Sequence, residues 1–163
     1  NMKIKLEPFE VQMAAEVANR RFIENLKMGK NFSYGYKGTV EQTLSLGIMG
    51  ASAELAFAKA TNTYFNGSYS DQYSRYTDND MQKGIEIRSQ KRKDYNFLLI
   101  RPGEKKARYV LVIDEGNFEF SLIGWFPFIN DMPQRLTNFG HINRPPAYKV
   151  DIKELYPIAD LKT

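Results

Sequence analysis

The order of the hydrophobic patterns along the chain constrains its fold more than any other feature. Residues 10–28 carry apolar side chains at helical spacing, and residues 39–61 do so again behind Thr39, which can cap a helix. After about residue 84 the apolar runs become short or alternating, as they are in strands. Two helices followed by a sheet predict an α+β domain.

The second half of the chain contains four predicted strands separated by breaker residues. The runs are GIEIRSQ, NFLLIR, ARYVLVID and FEFSLIGWF, and AYKVDIKEL offers a last short strand or turn. The breaks PGEKK and DEGN resemble hairpin turns, so we expect an antiparallel meander. Residues 62–82 are expected to form a long, partly irregular connection that includes at most one short strand, and residues 127–146 a loop. No linker interrupts the chain, which predicts a single domain over residues 1–163.

The composition limits which metal sites the chain can form. It has no cysteine and one histidine, which excludes thiolate and multi-histidine sites and leaves carboxylates as the main ligands. Such ligands suit Mg²⁺, Mn²⁺ or Ca²⁺. The formal net charge of +4 mildly favours an anionic partner.

The chain also lacks the apolar segments that direct proteins to membranes or out of the cell. Its first ten residues, NMKIKLEPFE, have no apolar core of the kind found in a signal peptide. No run approaches the roughly 18 apolar residues of a membrane span. We therefore expect a cytoplasmic protein that has no membrane partner.

An acidic turn followed by a strand is the segment that points most directly to chemistry. Asp80 precedes a strand in which Glu86 and Arg88 share one face, because alternate strand residues point the same way. Two carboxylates that hold a metal beside a cation form the layout that a phosphodiesterase site needs. Asp78 is close by, and an Asp-Asn-Asp turn also forms without any function.

The second predicted helix supplies a third carboxylate. Gly47, Gly50 and Glu54 are spaced so that they lie on one helical face. Since glycine has no side chain, we expect this face to approach the sheet closely and to point Glu54 toward it. The alternative is an ordinary surface glutamate.

Taken in order, these segments resemble the PD-(D/E)XK nuclease superfamily, and in particular its small phage and bacterial members. The similarity lies in GIMGASAELAFAK, the acidic turn, GIEIRS, a strand ending in IGW, and the closing RPPAYKVDIKELYPIADL. The resemblance implies a restriction-endonuclease-like core with a mixed central sheet, and Mg²⁺- or Mn²⁺-dependent hydrolysis of DNA. It also implies that Glu54, Asp80 and Glu86 bind the metal together with the backbone carbonyl of Ile87. For a phage protein it would place the chain in the host cytoplasm, with a homodimer as one possible assembly.

The chain departs from this superfamily at one position, where Arg88 replaces the usual lysine. Arginine can bind a phosphate oxygen but cannot serve as a base. We therefore assign Arg88 to charge stabilisation, with Lys91 or Lys93 as a replacement amine. The main alternative is an inactive nuclease-fold protein that binds nucleic acid or a protein partner. A third is a small structural or inhibitory phage protein.

Two basic clusters flank the predicted site and are candidate phosphate contacts. Their alternative role is simple solvation of turns, while Trp125 is expected in the core and His141 in a surface loop. The candidate DNA-binding residues are Lys91, Arg92, Lys93, Lys105, Lys106 and Arg108.

Overall fold

The computed structural model describes residues 2–29, 38–65, 67, 84–91, 96–104, 106–140 and 143–163. In chain order the helices and strands are β1 (Met2–Lys5), α1 (Pro8–Lys27), α2 (Val40–Thr61), β2 (Ile85–Gln90), β3 (Phe97–Ile100), β4 (Ala107–Gly116), β5 (Glu119–Phe128), β6 (Leu136–Thr137) and β7 (Ala147–Asp151). Short 3₁₀ turns follow β5 and β7. The α+β class predicted from the sequence is confirmed.

Both helices begin where local side chains satisfy free backbone N–H groups. The Glu10 carboxylate accepts a 2.7 Å hydrogen bond from the N–H of Glu7 at the start of α1. At the start of α2, Thr39 Oγ1 accepts from the N–H of Gln42, and the Gln42 side chain accepts from the N–H of Thr39. Asn62, in the left-handed conformation, ends α2. The predicted helix positions are therefore correct to within about two residues.

The strands form two sheets. Sheet A has the order β1-β5-β4-β2, with β2 parallel to β4 and the other pairs antiparallel, while sheet B has the antiparallel order β3-β7-β6. The predicted antiparallel meander is therefore wrong, apart from the β4–β5 hairpin at the DEGN turn. The PGEKK turn joins β3 and β4, which belong to different sheets. A turn sequence shows where the chain reverses but does not determine which distant strand, here β7, completes the pairing.

Sheet A separates two hydrophobic clusters. On one face Val110 and Val112 pack with the two helices, and on the other Tyr109 and Leu111 pack with sheet B. Strand alternation produces this division, since neighbouring β4 residues point to opposite faces. Strand β4 is therefore buried on both sides.

The glycine face expected on α2 does not make a close approach to the sheet. A Cβ atom added at Gly47 or Gly50 would meet nothing within 4 Å among the described residues. The close packing of α2 comes instead from four buried alanines, Ala51, Ala53, Ala56 and Ala58. A close approach does occur at Gly124 in β5, where an added Cβ would lie 2.8 Å from Leu155 Cβ and from the Tyr156 carbonyl oxygen.

Candidate functional site

Glu86 and Arg88 lie on the face of sheet A that points away from the helices. Ile85 and Ile87 pack against the cluster that contains the helices. The side chains between them must point the opposite way, and the Arg88 guanidinium lies 4.9 Å from the centre of the Tyr109 ring in the other cluster. The prediction that Glu86 and Arg88 share a face is confirmed.

The guanidinium of Arg88 is surrounded by three oxygen atoms. Its Nη2 donates a 2.8 Å hydrogen bond to Oε1 of Glu104, which belongs to the turn between β3 and β4. Its Nη1 lies 3.4 Å from Oε2 of Glu86 and 3.4 Å from the backbone oxygen of Ile87. The side chains of Arg88, Glu86 and Glu104 are 31%, 24% and 19% exposed, so the charges are partly shielded from water. One cation thus lies among oxygen atoms in a half-buried cluster of charged side chains.

Burial and the neighbouring charges perturb proton binding in this cluster. Burial would lower the pKa of Arg88, but the carboxylates of Glu104 and Glu86 outweigh it and raise that pKa. Burial and the charge of Glu104 raise the pKa of Tyr109 to about 12. Arg88 and Tyr109 therefore both keep their protons at neutral pH, and neither can act as a base there.

The backbone of β2 directs the Ile87 carbonyl away from the partner strand β4. In the described part of the chain, β2 is an edge strand that pairs with β4. The Gly84 carbonyl accepts from the N–H of Arg108, so the Gly84 carbonyl points toward β4. Since carbonyl direction alternates along a strand, that of Ile87 points outward. It therefore takes no part in the pairing of β2 with β4.

Glu54 lies in the helical layer, away from this cluster. Its two carboxylate oxygens accept hydrogen bonds of 3.2 and 3.1 Å from the guanidinium of Arg21 in α1. Because the helices cover the face of Ile85 and Ile87, sheet A lies between Glu54 and Glu86. The structure therefore does not bring these two predicted ligands to one side of the sheet.

The third predicted ligand, Asp80, lies outside the described residues, as do Asp78 and His141. Among the residues that the structure describes, no three acidic or histidine side chains form a group that could hold a metal ion. The cluster on β2 consequently supplies two of the predicted metal ligands, the Glu86 carboxylate and the Ile87 carbonyl.

The candidate DNA-binding residues occupy different places. Arg92, Lys93 and Lys105 are outside the described residues, and Lys106 is exposed. Lys91 is also exposed, and it lines a cavity of about 400 Å³ between the first half of α2 and the β4–β5 turn. Arg108 donates to the backbone carbonyl of Lys162 and so helps to hold the C-terminal segment.

Two charged residues that pair with predicted site residues were not themselves predicted from the sequence. Glu104 stands in a turn where the neighbouring lysines drew attention to positive charge. Arg21, the partner of Glu54, is 33 residues away along the chain. No pattern in the sequence around Glu104 could indicate that its carboxylate meets Arg88.

Trp125 is half-buried against the helical cluster, and its indole N–H donates to the Pro157 carbonyl. This agrees with a structural role. Neither long helix in the described part of the chain combines the length and apolar character needed to cross a bilayer. No protein-family model, curated protein or solved structure gives a significant match to the chain.

Proposed function

We propose that this protein is a metal-dependent nuclease that hydrolyses DNA phosphodiester bonds on a restriction-endonuclease-like core. One observation carries the proposal. A single guanidinium nitrogen, Nη1 of Arg88, lies 3.4 Å from both the Glu86 carboxylate and the Ile87 carbonyl. Those are the two oxygen groups of β2 that the resemblance assigns as metal ligands, and they converge on one point that already holds a positive charge.

The donor set suits the metal that the proposal requires. Glu86 and Ile87 offer oxygen atoms, the ligands that Mg²⁺ and Mn²⁺ prefer, and Asp80 would add a second carboxylate. When bound there, a divalent metal would lower the pKa of a water ligand and polarise the phosphate. The half-buried setting of Glu86 strengthens its attraction for a cation, because less water screens the charge.

The remaining residues of the cluster have distinct tasks. Arg88 donates hydrogen bonds from a fixed fork and is suited to stabilise the charge that grows on the phosphate. Its raised pKa keeps it cationic throughout. Glu54 is not part of the ligand set that we propose, because sheet A separates it from Glu86. Its pairing with Arg21 gives it a structural task between the two helices.

The test is a plasmid-cleavage assay with the purified chain. We expect nicking or degradation in Mg²⁺ or Mn²⁺, none in EDTA, and none from Glu86→Gln, which removes ligand charge at nearly constant volume. The matched control is Glu154→Gln, since Glu154 also pairs with an arginine, Arg135, but lies outside the cluster. Equal cleavage by Glu86→Gln and the parent chain would remove the site from the reaction.

A binding-only protein is the second candidate, and a specific observation favours it. Arg88 already satisfies Glu86 and Glu104 by ion pairs, which is also the arrangement of a purely structural charge network. Such a protein would bind DNA equally well with Mn²⁺ and with EDTA and would not cut it. A chain that fails to bind DNA in a filter assay at low salt would exclude the nuclease and a DNA-binding protein, and would leave a protein that binds a protein partner.

A further inference from the structure

The two ends of the Arg88 guanidinium face different partners. Nη1 lies beside the proposed ligand oxygens of Glu86 and Ile87, at 3.4 Å from each. Nη2 makes the shorter contact, 2.8 Å, with Glu104. A divalent metal that binds to Glu86 and the Ile87 carbonyl would therefore compete with the Nη1 end and leave the Nη2 contact intact.

Of the two carboxylates that contact Arg88, that of Glu104 is the more firmly held. Its Oε2 accepts a 3.1 Å hydrogen bond from the backbone N–H of Arg101, which closes the turn and orients the carboxylate. Its side chain is 19% exposed, less than that of Glu86. The ring of Tyr109 lies against the guanidinium and restricts where it can move.

We infer that Glu104 is a positioning residue that anchors Arg88, so that Arg88 can release Glu86 to a divalent metal without losing its own counter-ion. This inference rests on the proposed function. In the metal-free chain Arg88 neutralises Glu86 and holds the ligand oxygens together. When a metal takes over Glu86, Glu104 retains the guanidinium at the edge of the site, where a phosphate would be bound. Arg88 and the metal thus compete for Glu86. By keeping Arg88 paired, Glu104 favours binding of the metal.

The charge balance explains why the anchor matters. Arg88 has two acidic partners on different segments of the chain, so losing one still leaves it paired. Without the charge of Glu104, Glu86 would be its remaining carboxylate within the described cluster, and displacement of Arg88 by a metal would leave a half-buried cation unpaired. Leaving such a charge unpaired is costly. Metal affinity should therefore fall when Glu104 loses its charge.

The experiment measures Mn²⁺ binding to the full chain, from the electron paramagnetic resonance signal of free Mn²⁺. We expect Glu104→Gln to weaken binding roughly 10-fold, as changes beside a metal ligand commonly do. Arg88→Gln should strengthen binding, because it removes the competitor. The double variant should bind at least as tightly as the parent chain, since the guanidinium that contacts Glu86 is gone as well. Glu154→Gln, the matched control, should leave Mn²⁺ binding unchanged.

Three outcomes would overturn the inference, and they can be told apart. An affinity unchanged by Glu104→Gln, while Glu86→Gln abolishes binding, rejects the anchor and leaves the nuclease proposal standing. A double variant as weak as Glu104→Gln shows that Glu104 acts on the metal or the fold directly, without Arg88. Absence of Glu86-dependent Mn²⁺ binding in the parent chain rejects the nuclease proposal and the anchor together.

A thermal unfolding curve accompanies each variant. The amide oxygen of Glu104→Gln can still accept from the N–H of Arg101, so we expect the turn to survive. Should that variant fail to fold, Arg88→Gln decides by itself. An Mn²⁺ affinity no higher than that of the parent chain would then overturn the inference, because the competition it requires would be missing.

Discussion

The two faces of sheet A differ in what covers them and in where they carry charge. The face under the helices carries aliphatic side chains such as Val110 and Val112, and α2 packs onto it with small residues such as Ala53. The opposite face carries Tyr109 and the aromatic residues of the second cluster, with Glu86 and Arg88 at its edge. Glu54 and Glu86, which looked like one site along the chain, belong to different faces. Adjacency of two elements is therefore not enough to place two carboxylates on one ion.

The most direct test of the difference between the two faces is to neutralise one glutamate on each of them. We expect Glu86→Gln to abolish Mn²⁺-dependent plasmid cleavage and Glu54→Gln to leave the rate within a few-fold of the parent chain. Glu54→Gln should act on stability instead, and only slightly, because its ion pair with Arg21 is partly exposed. Equal loss of cleavage in both variants would show that the two faces contribute to one site.

Arg88 gives the next largest expected effect. If it stabilises charge on the phosphate, Arg88→Ala should lower the cleavage rate by roughly 10²–10³ while DNA affinity falls much less. Arg88→Lys should retain part of the rate, since charge survives while the fork geometry is lost. Rate, affinity and Tm are measured on the same variants. A lower Tm in a chain that never cleaves DNA would identify Arg88 as a structural ion-pair partner.

A pair of matched core variants compares the packing of the two faces. Leu122 and Leu111 are both fully buried, the first in the helical cluster and the second in the cluster shared with sheet B. Each leucine-to-alanine change should cost about 2–5 kcal/mol of unfolding free energy. Chemical denaturation should show one transition in both, as expected if the chain is one domain. Two separate transitions would instead show that the faces unfold independently.

The pH dependence of stability offers a finer probe of the charged face. Burial and Glu104 raise the pKa of Tyr109 to about 12, against an ordinary value of 10.0. As pH rises, the Tyr109 hydroxyl therefore loses its proton in the unfolded chain before it does so in the folded chain. The free energy of unfolding consequently falls as pH rises between these two pKa values. Tyr109→Phe should lose stability less steeply than the parent chain above pH 10.0 in urea titrations, and identical slopes would contradict the shift.

Local chemistry was sufficient for some features of the molecule. The capping side chains at Thr39 and Gln42 and the periodicity behind them determine where α2 starts, because their partners are a few residues away. Strand alternation likewise determined that Glu86 and Arg88 share a face. The prediction of the β4–β5 hairpin was correct for the same reason, since its turn and both strands are contiguous.

Tertiary structure decided the rest. The pairing of β3 with β7 and of β2 with β4 depends on which buried surfaces fit together, and no local pattern encodes that. The partners of the charged side chains also depend on the tertiary structure. Only the folded chain shows that Glu104 reaches Arg88 and that Glu54 turns to Arg21, because ion pairs form between segments that the packing of the core brings together. By itself the sequence could identify candidate carboxylates and predict which side chains share a face within one helix or strand. Which face of the sheet each one occupies depends on how helices and strands bury their apolar sides.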